Sequence, residues 1–150
     1  MRTVHIYVDG STWPQNPGNG GWGAVLKFGG AEKLVSGYLP NPTTNNQAET
    51  VAVTGAIDSL TELCYIILYT DSQYVFLCLK KLLSFGWLPK TNKDQWRDLS
   101  ATIKGHEIKI VKIKGHSKNR ENDIAHDLAY NAARNKIEVS KIVKPKTKTN

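Results

Sequence analysis

Three carboxylates occupy positions in this chain where a strand is expected to end or a helix to begin. Asp9 closes an alternating apolar stretch, Asp71 follows a continuous apolar run, and Glu49 falls in what we predict to be the first turn of a helix. If the two strand ends are neighbours in a sheet, the three acids share one pocket and their repulsion requires a counter-ion. Divalent cations that prefer oxygen ligands suit such a pocket. The alternative is that each acid only caps a helix or ends a strand in solvent.

The elements that must position these acids can be read from the spacing of apolar residues. Period-two alternation and short apolar runs predict strands, and Gly29-Gly30 suits a tight hairpin turn between the second and third of them. The run that precedes Asp71 predicts a strand buried on both faces. The strands are predicted at residues 4–8, 22–28, 33–39, 64–69 and 108–113.

Apolar stripes at helical spacing predict four helices among these strands. The stripes are carried by residues 48–60, 75–83, 96–103 and 124–133. The resulting order, βββαβααβα, indicates an α/β fold with a mixed five-stranded sheet flanked by helices. We predict one domain over residues 1–138, followed at 139–150 by a basic, disordered tail that contains Lys141, Lys144, Lys146 and Lys148.

Composition narrows the class of partner. The chain has 20 Lys and Arg against 13 Asp and Glu, a net charge of +7, which favours a polyanion. No segment approaches the ~20 apolar residues of a membrane span, so we predict no membrane partner. The first residues leave no room for a signal peptide, which favours the cytoplasm. Cys64 and Cys78 lie in apolar runs and are predicted to be small buried hydrophobes without a function.

Four blocks of the sequence resemble the signature blocks of type 1 ribonuclease H, in the order in which that family carries them. The likeness extends over roughly residues 3 to 135 and agrees with the order of elements predicted above. The blocks are Tyr7-Val8-Asp9-Gly10-Ser11, Thr43 to Glu49, Tyr69 to Val75, and Lys114-Gly115-His116-Ser117 with Asn122 and Leu128-Ala129.

The resemblance implies a ribonuclease H-like sheet and an endoribonuclease that hydrolyses the RNA strand of RNA/DNA hybrids. It implies that Asp9, Glu49 and Asp71 bind two Mg²⁺ ions, with Mn²⁺ also supporting activity, and that the products carry 5′-phosphate and 3′-hydroxyl ends. His116 matches the family histidine that assists proton transfer or product release. We expect a monomer.

Substrate recognition is also implied by the resemblance. It assigns Asn16, Asn45, Asn46 and Gln73 to the minor groove of the hybrid, where 2′-hydroxyl groups distinguish RNA from DNA. Turn and cap formation is the alternative role for Asn16 and Asn45. Aromatic and basic residues between Trp87 and Trp96 are candidates for holding the DNA strand, although Trp22 and Trp96 are equally candidates for the core.

The sequence departs from the family at the fourth metal-site position. The family has an aspartate four residues after the asparagine and two before the Leu-Ala pair, and this chain has His126 there. A neutral imidazole can bind a metal but suits Mn²⁺-like ions better than Mg²⁺. Asp127 is the next candidate, although one residue turns ~100° around a helix. Asp123, one turn earlier, is a third.

Three other functions are compatible with these blocks. The chain could bind hybrids without turnover because of His126, or be a related polynucleotidyl transferase such as an integrase or a resolvase. The Asn-Gln-Ala-Glu block at residues 46–49 and the Gly-His-Ser block at 115–117 argue against the transferase. A detached reverse-transcriptase domain would be the same enzyme in another setting.

Overall fold

The computed structural model describes residues 1–115 and 118–144. Within these ranges the strands are β1 (Arg2–Trp13), β2 (Gly18–Phe28), β3 (Ala31–Thr43), β4 (Cys64–Thr70), β5 (Glu107–Lys112) and β6 (Ser140–Val143). The helices are α1 (Asn45–Asp58), α2 (Gln73–Phe85), α3 (Lys93–Thr102) and α4 (Arg120–Asn135). The strands form one sheet in the order β5-β4-β1-β2-β3-β6. The β4 strand is parallel to β1 and β5, and the other pairs are antiparallel.

Local signals explain where the elements begin and turn. Gly29 and Gly30 have φ values of 52° and 78°, so the hairpin turn between β2 and β3 forms as predicted. A capping box starts α1, because the Thr44 hydroxyl accepts from the Gln47 N–H while the Gln47 side chain accepts from the Thr44 N–H. The first feature sets the turn between β2 and β3, and the second sets the point at which the chain enters α1 after leaving the sheet.

The helices lie on both faces of the sheet. Alternate residues of β1, among them Ile6 and Val8, face the main core with residues of α1, α2 and α3. On β2, Ala24 faces that core, whereas a side chain at Gly23 would meet the backbone of α4 on the other face. Trp96 is fully buried in the core and donates from Nε1 to the Tyr74 hydroxyl at 2.9 Å. Of its two predicted roles, the structure therefore shows the one in the core.

Two predictions about the strands are wrong in detail. The β1 strand continues past Asp9 to Trp13, because its antiparallel pairing with β2 extends four residues beyond the acid. The β4 strand is covered on only one face, since α4 packs over the first three strands, and Tyr65 is 42% exposed. None of the helices in the described ranges is long and apolar enough to span a membrane.

The C-terminal region also differs from the prediction. Ser140–Val143 are not disordered but form β6, which pairs antiparallel with Glu32–Val35 of β3 and makes the sheet six-stranded rather than five-stranded. All four residues of β6 are exposed, and the sequence Ser-Lys-Ile-Val does not alternate between apolar and polar residues. The local pattern therefore did not indicate a strand. Lys146 and Lys148 of the predicted tail lie outside the described residues.

Candidate active site

Asp9 lies on β1 just beyond the point where β1 loses its parallel neighbour. The pairing with β4 ends at Tyr7 and Tyr69, and Asp9 pairs only with Gly23 of β2. Its side chain is 4% exposed, and Oδ1 accepts a hydrogen bond from the Gly10 N–H at 2.9 Å. Asp9 therefore lies beside the notch that opens in the sheet where β4 ends.

Gly10 allows α1 to approach this notch. A Cβ on Gly10 would collide with backbone atoms of Ala48 and Glu49, so only glycine permits this contact between strand and helix. Glu49 is the fifth residue of α1, counted from Asn45, and no acid occupies the first turn. The prediction that Glu49 lies in the first turn was therefore wrong. The capping box starts the helix at Asn45, which places Glu49 in the second turn.

Asp71 follows the last residue of β4, as predicted. The Thr70 hydroxyl accepts from the Ser72 N–H at 3.0 Å, and the Ser72 hydroxyl caps α2 by accepting from Val75 N–H at 3.1 Å. These bonds hold the short connection between strand and helix. Asp71 is half-buried and faces the same cavity as Asp9 and Glu49.

The helix α4 brings His126 to the acids. Ala125 and Ala129 are fully buried, and the helix lies so close to β2 that a Cβ on Gly23 would meet its backbone. His126 Nδ1 lies 2.9 Å from Asp9 Oδ2, within hydrogen-bond distance. Asp127, the competing candidate, is exposed and does not line the cavity, whereas Asp123 is exposed and does.

The three carboxylates converge closely enough to share a cation. One ligand oxygen from each of Asp9, Glu49 and Asp71 lies within 4.8 Å of the other two. Burial and then the charge of Asp9 raise the pKa of Glu49 well above its ordinary value, and the same two causes raise the pKa of Asp71. His126 has a raised pKa, mainly because of its hydrogen bond with Asp9. The three carboxylates therefore repel one another, and a cation between them would be favourable.

These residues fit a hard divalent cation. Glu49 Oε2 is buried without a hydrogen-bond partner, which leaves a carboxylate oxygen available in the middle of the cluster. Oxygen ligands of this kind are those that Mg²⁺ prefers, and a cation would neutralise the repulsion among the acids. The fit rests on the donor set and on this unpartnered atom.

The predicted substrate readers are only partly gathered around the acids. Asn16, Asn45 and Asn46 line the cavity, which has a volume of about 670 Å³, but Gln73 does not. Asn16 Oδ1 accepts from the Asn45 N–H at 3.0 Å, and Asn45 Oδ1 accepts from the Thr12 hydroxyl at 2.9 Å. These contacts join the segment after β1 to the start of α1, whereas the cap of α1 itself is Thr44.

Two further observations complete the site. His116 lies outside the described residues, although its neighbour Gly115 lines the cavity. Asn122, which the sequence placed in the fourth block without a role, also lines the cavity and is 5% exposed. Its position four residues before His126 would have indicated the shared helical face.

Comparison with known proteins agrees with this arrangement. A family model described as RNase H matches residues 1–134. A protein named Ribonuclease H from Prosthecochloris aestuarii is 40% identical over 144 residues, which cover 89% of this chain and 97% of that protein.

Two solved structures share the fold. LC9-RNase H1, described as a type 1 RNase H with the type 2 active-site motif, has a TM-score of 0.78 at 22% identity over 97% of this chain and 78% of its own. LC11-RNase H1, solved in complex with an RNA/DNA hybrid, has a TM-score of 0.66 at 21% identity over 86% of this chain and 98% of its own. The family model covers nearly the whole chain, and the relative is 40% identical over most of its length. This chain belongs to the ribonuclease H family.

Proposed function

We propose that this chain is an endoribonuclease that hydrolyses the RNA strand of RNA/DNA hybrids and leaves 5′-phosphate and 3′-hydroxyl ends. The observation that carries the proposal is the convergence of Asp9, Glu49 and Asp71 in one cavity of a protein whose net charge is +7. The positive surface attracts a polyanion, and among the described residues the three acids form a cluster that is suited to a cation.

The three acids would hold two Mg²⁺ ions, and Mn²⁺ would also support activity. When bound, such ions supply Lewis acidity, which activates water and stabilises a leaving 3′ oxygen. The chain itself provides the fixed framework: β1 and β4 set the two aspartates, and α1 sets Glu49. We assign the fourth position to His126, whose imidazole Nδ1 lies beside Asp9 at 2.9 Å. His116 would assist proton transfer or product release.

Recognition of the hybrid would use the polar groups that line the cavity. Asn45 and Asn46 are exposed there, and each carries an amide that can bond to 2′-hydroxyl groups of the RNA strand. Asn16 uses its carbonyl oxygen on the backbone of Asn45, so its NH₂ group is the part that we assign to substrate. Gln73, exposed on the first turn of α2, would contact the strand outside the cavity.

We further propose a monomer that acts in the cytoplasm. A single chain supplies every acid of the cluster, which supports activity without a second copy. Cys64 and Cys78 are free thiols, as expected in a reducing compartment.

A second candidate function is binding of hybrids without turnover. The observation that favours it is the imidazole of His126 within hydrogen-bond distance of Asp9, at the position where the resemblance implies a carboxylate. A protein of this kind would retain hybrid affinity in the presence of Mg²⁺ or Mn²⁺ but release no product.

The test is incubation of the protein with an end-labelled RNA/DNA hybrid in Mg²⁺, in Mn²⁺ and in chelator. We expect cleavage of the RNA strand with either metal and none in chelator. Asp71→Asn should lower the rate on the order of 100-fold or more, because it removes a charge from the metal pocket with little change of volume. Asp94→Asn, at an exposed acid on α3, is the matched control and should cleave normally. Metal-independent cleavage, or full activity of Asp71→Asn, would contradict the proposal.

A further inference from the structure

The described part of the chain has two buried side-chain oxygens without a hydrogen-bond partner, Glu49 Oε2 and Asn122 Oδ1. Both residues line the acidic cavity. An acceptor that is buried without a donor destabilises the folded protein, so such atoms are rare and tend to mark places where a ligand supplies the missing partner. A metal ion held by the three acids accounts for Glu49, whereas Asn122 lies outside that cluster of carboxylates and its amide oxygen needs a partner of its own.

Asn122 is held in place by bonds that do not involve its amide oxygen. Its backbone N–H donates to the Asn119 side chain at 2.8 Å, at the start of α4. Its side chain is 5% exposed and lies one turn before His126, on the same face of the helix. The helix therefore presents the Asn122 amide to the cavity that contains Asp9.

The chemistry of the cavity determines which ligand atom could satisfy Asn122. Carboxylates and phosphate oxygens are acceptors, and an amide oxygen needs a donor. The proposed ligands bring two kinds of O–H donor into this space: a water molecule bound to a divalent cation and a ribose 2′-hydroxyl of the RNA strand. Both offer the same chemistry to Asn122 Oδ1.

We infer that Asn122 is a positioning residue whose amide oxygen accepts a hydrogen bond from an O–H group of the bound ligand, either a cation-bound water or a ribose 2′-hydroxyl. This inference rests on the proposed function, since that function supplies both donors. The unpartnered oxygen of Asn122 would then lower the stability of the ligand-free protein, and ligand binding would remove this penalty.

Asn122→Leu tests the inference, because leucine has a similar volume and no polar atoms. The matched control is Asn131→Leu, at an exposed position of the same helix. Thermal unfolding in chelator measures the cost of the unpartnered oxygen. Calorimetric titration with Mn²⁺ alone measures the water arm, and fluorescence anisotropy with an RNA/DNA hybrid in chelator measures the 2′-hydroxyl arm without cleavage.

We expect Asn122→Leu to unfold at a temperature no lower than the wild type and to lose about fivefold in affinity in one of the two arms, the effect of one hydrogen bond. Asn122→Asp, which keeps an acceptor oxygen, should bind Mn²⁺ at least as tightly as the wild type if the water arm is the one affected. Unchanged affinity of Asn122→Leu in both arms would overturn the inference. Failure of the wild type to cleave the hybrid with either Mg²⁺ or Mn²⁺ would instead overturn the proposed function.

Discussion

Glu49→Gln should stabilise the metal-free protein and abolish most of its response to Mg²⁺. The ligand oxygens of the three acids lie within 4.8 Å of one another, and at an effective dielectric constant of ~20 two unit charges at that distance repel by about 3.5 kcal/mol. Glu49 has two such neighbours. Burial and the charge of Asp9 raise the pKa of Glu49, and we expect a net gain of about 1–2 kcal/mol on neutralising this carboxylate.

This gain is measurable as a shift of the unfolding temperature. For a chain of 150 residues, each kcal/mol corresponds to about 3 °C, so the variant should melt about 3–6 °C above the wild type in chelator. With Mg²⁺ in excess the order should reverse, because only the wild type retains the full set of ligands and gains stability by binding the ion. Circular dichroism melts in chelator and at several Mg²⁺ concentrations would show the two behaviours.

Glu62→Gln is the control for the effect of removing a carboxylate elsewhere. Glu62 is exposed and pairs with Arg2 at 3.4 Å, so its replacement should leave both melting temperatures nearly unchanged. A melting temperature of Glu49→Gln below that of the wild type in chelator would refute the reasoning. It would mean that the buried carboxylate makes net favourable contacts and that the acids do not repel one another in the empty protein.

Three further predictions concern the same site. Gly10→Ala should lower the free energy of unfolding by about 2–3 kcal/mol in urea titrations, because the new methyl group meets the backbone of α1; an unchanged value would mean that the helix moves freely. His126→Asp should lower the Mg²⁺ concentration needed for half-maximal cleavage and Asp127→Asn should not, whereas the reverse result would indicate that α4 is turned by ~100°. In chelator, the contribution of Glu49 to stability should be largest below pH 4.5, its ordinary pKa, and should fall as the pH rises through its raised folded-state value, because the folded protein holds that proton more tightly than the unfolded chain does. Urea titrations of the wild type and Glu49→Gln at several pH values isolate this contribution from that of the other acids, and a wild type that gains stability relative to Glu49→Gln as the pH rises would contradict it.

Of the three acids, only Asp71 could be placed accurately in its element from the sequence, because the end of its apolar strand has a strong local signal. The run from Cys64 to Tyr69 ends one residue before β4 does, so Asp71 was placed correctly. The end of β1 could not be found in the same way, since its last residues pair only with β2 and alternate weakly. Glu49 was placed one turn too early because several residues before it can cap a helix, and only the capping box of Thr44 and Gln47 selects the start.

Features that depend on tertiary packing were beyond the sequence. The β6 strand has four exposed residues and is specified by its pairing with β3, which no local pattern announces. The unpartnered oxygen of Asn122 follows from burial against elements distant in the chain. The alternative roles of Asn16 and Trp96 likewise required the contacts themselves, the first to the backbone of Asn45 and the second to Tyr74.

The close contact between α4 and β2 has an evolutionary consequence. Glycine on the strand and alanine on the helix fix the rotation and height of α4 at a seam that contains none of the acids. The side chain of His126 remains 59% exposed at the cavity rim, so a residue of different size or charge fits there without repacking. Aspartate and histidine could therefore be exchanged at this position, which we propose as the fourth metal position, while Asp9, Glu49 and Asp71 keep their geometry.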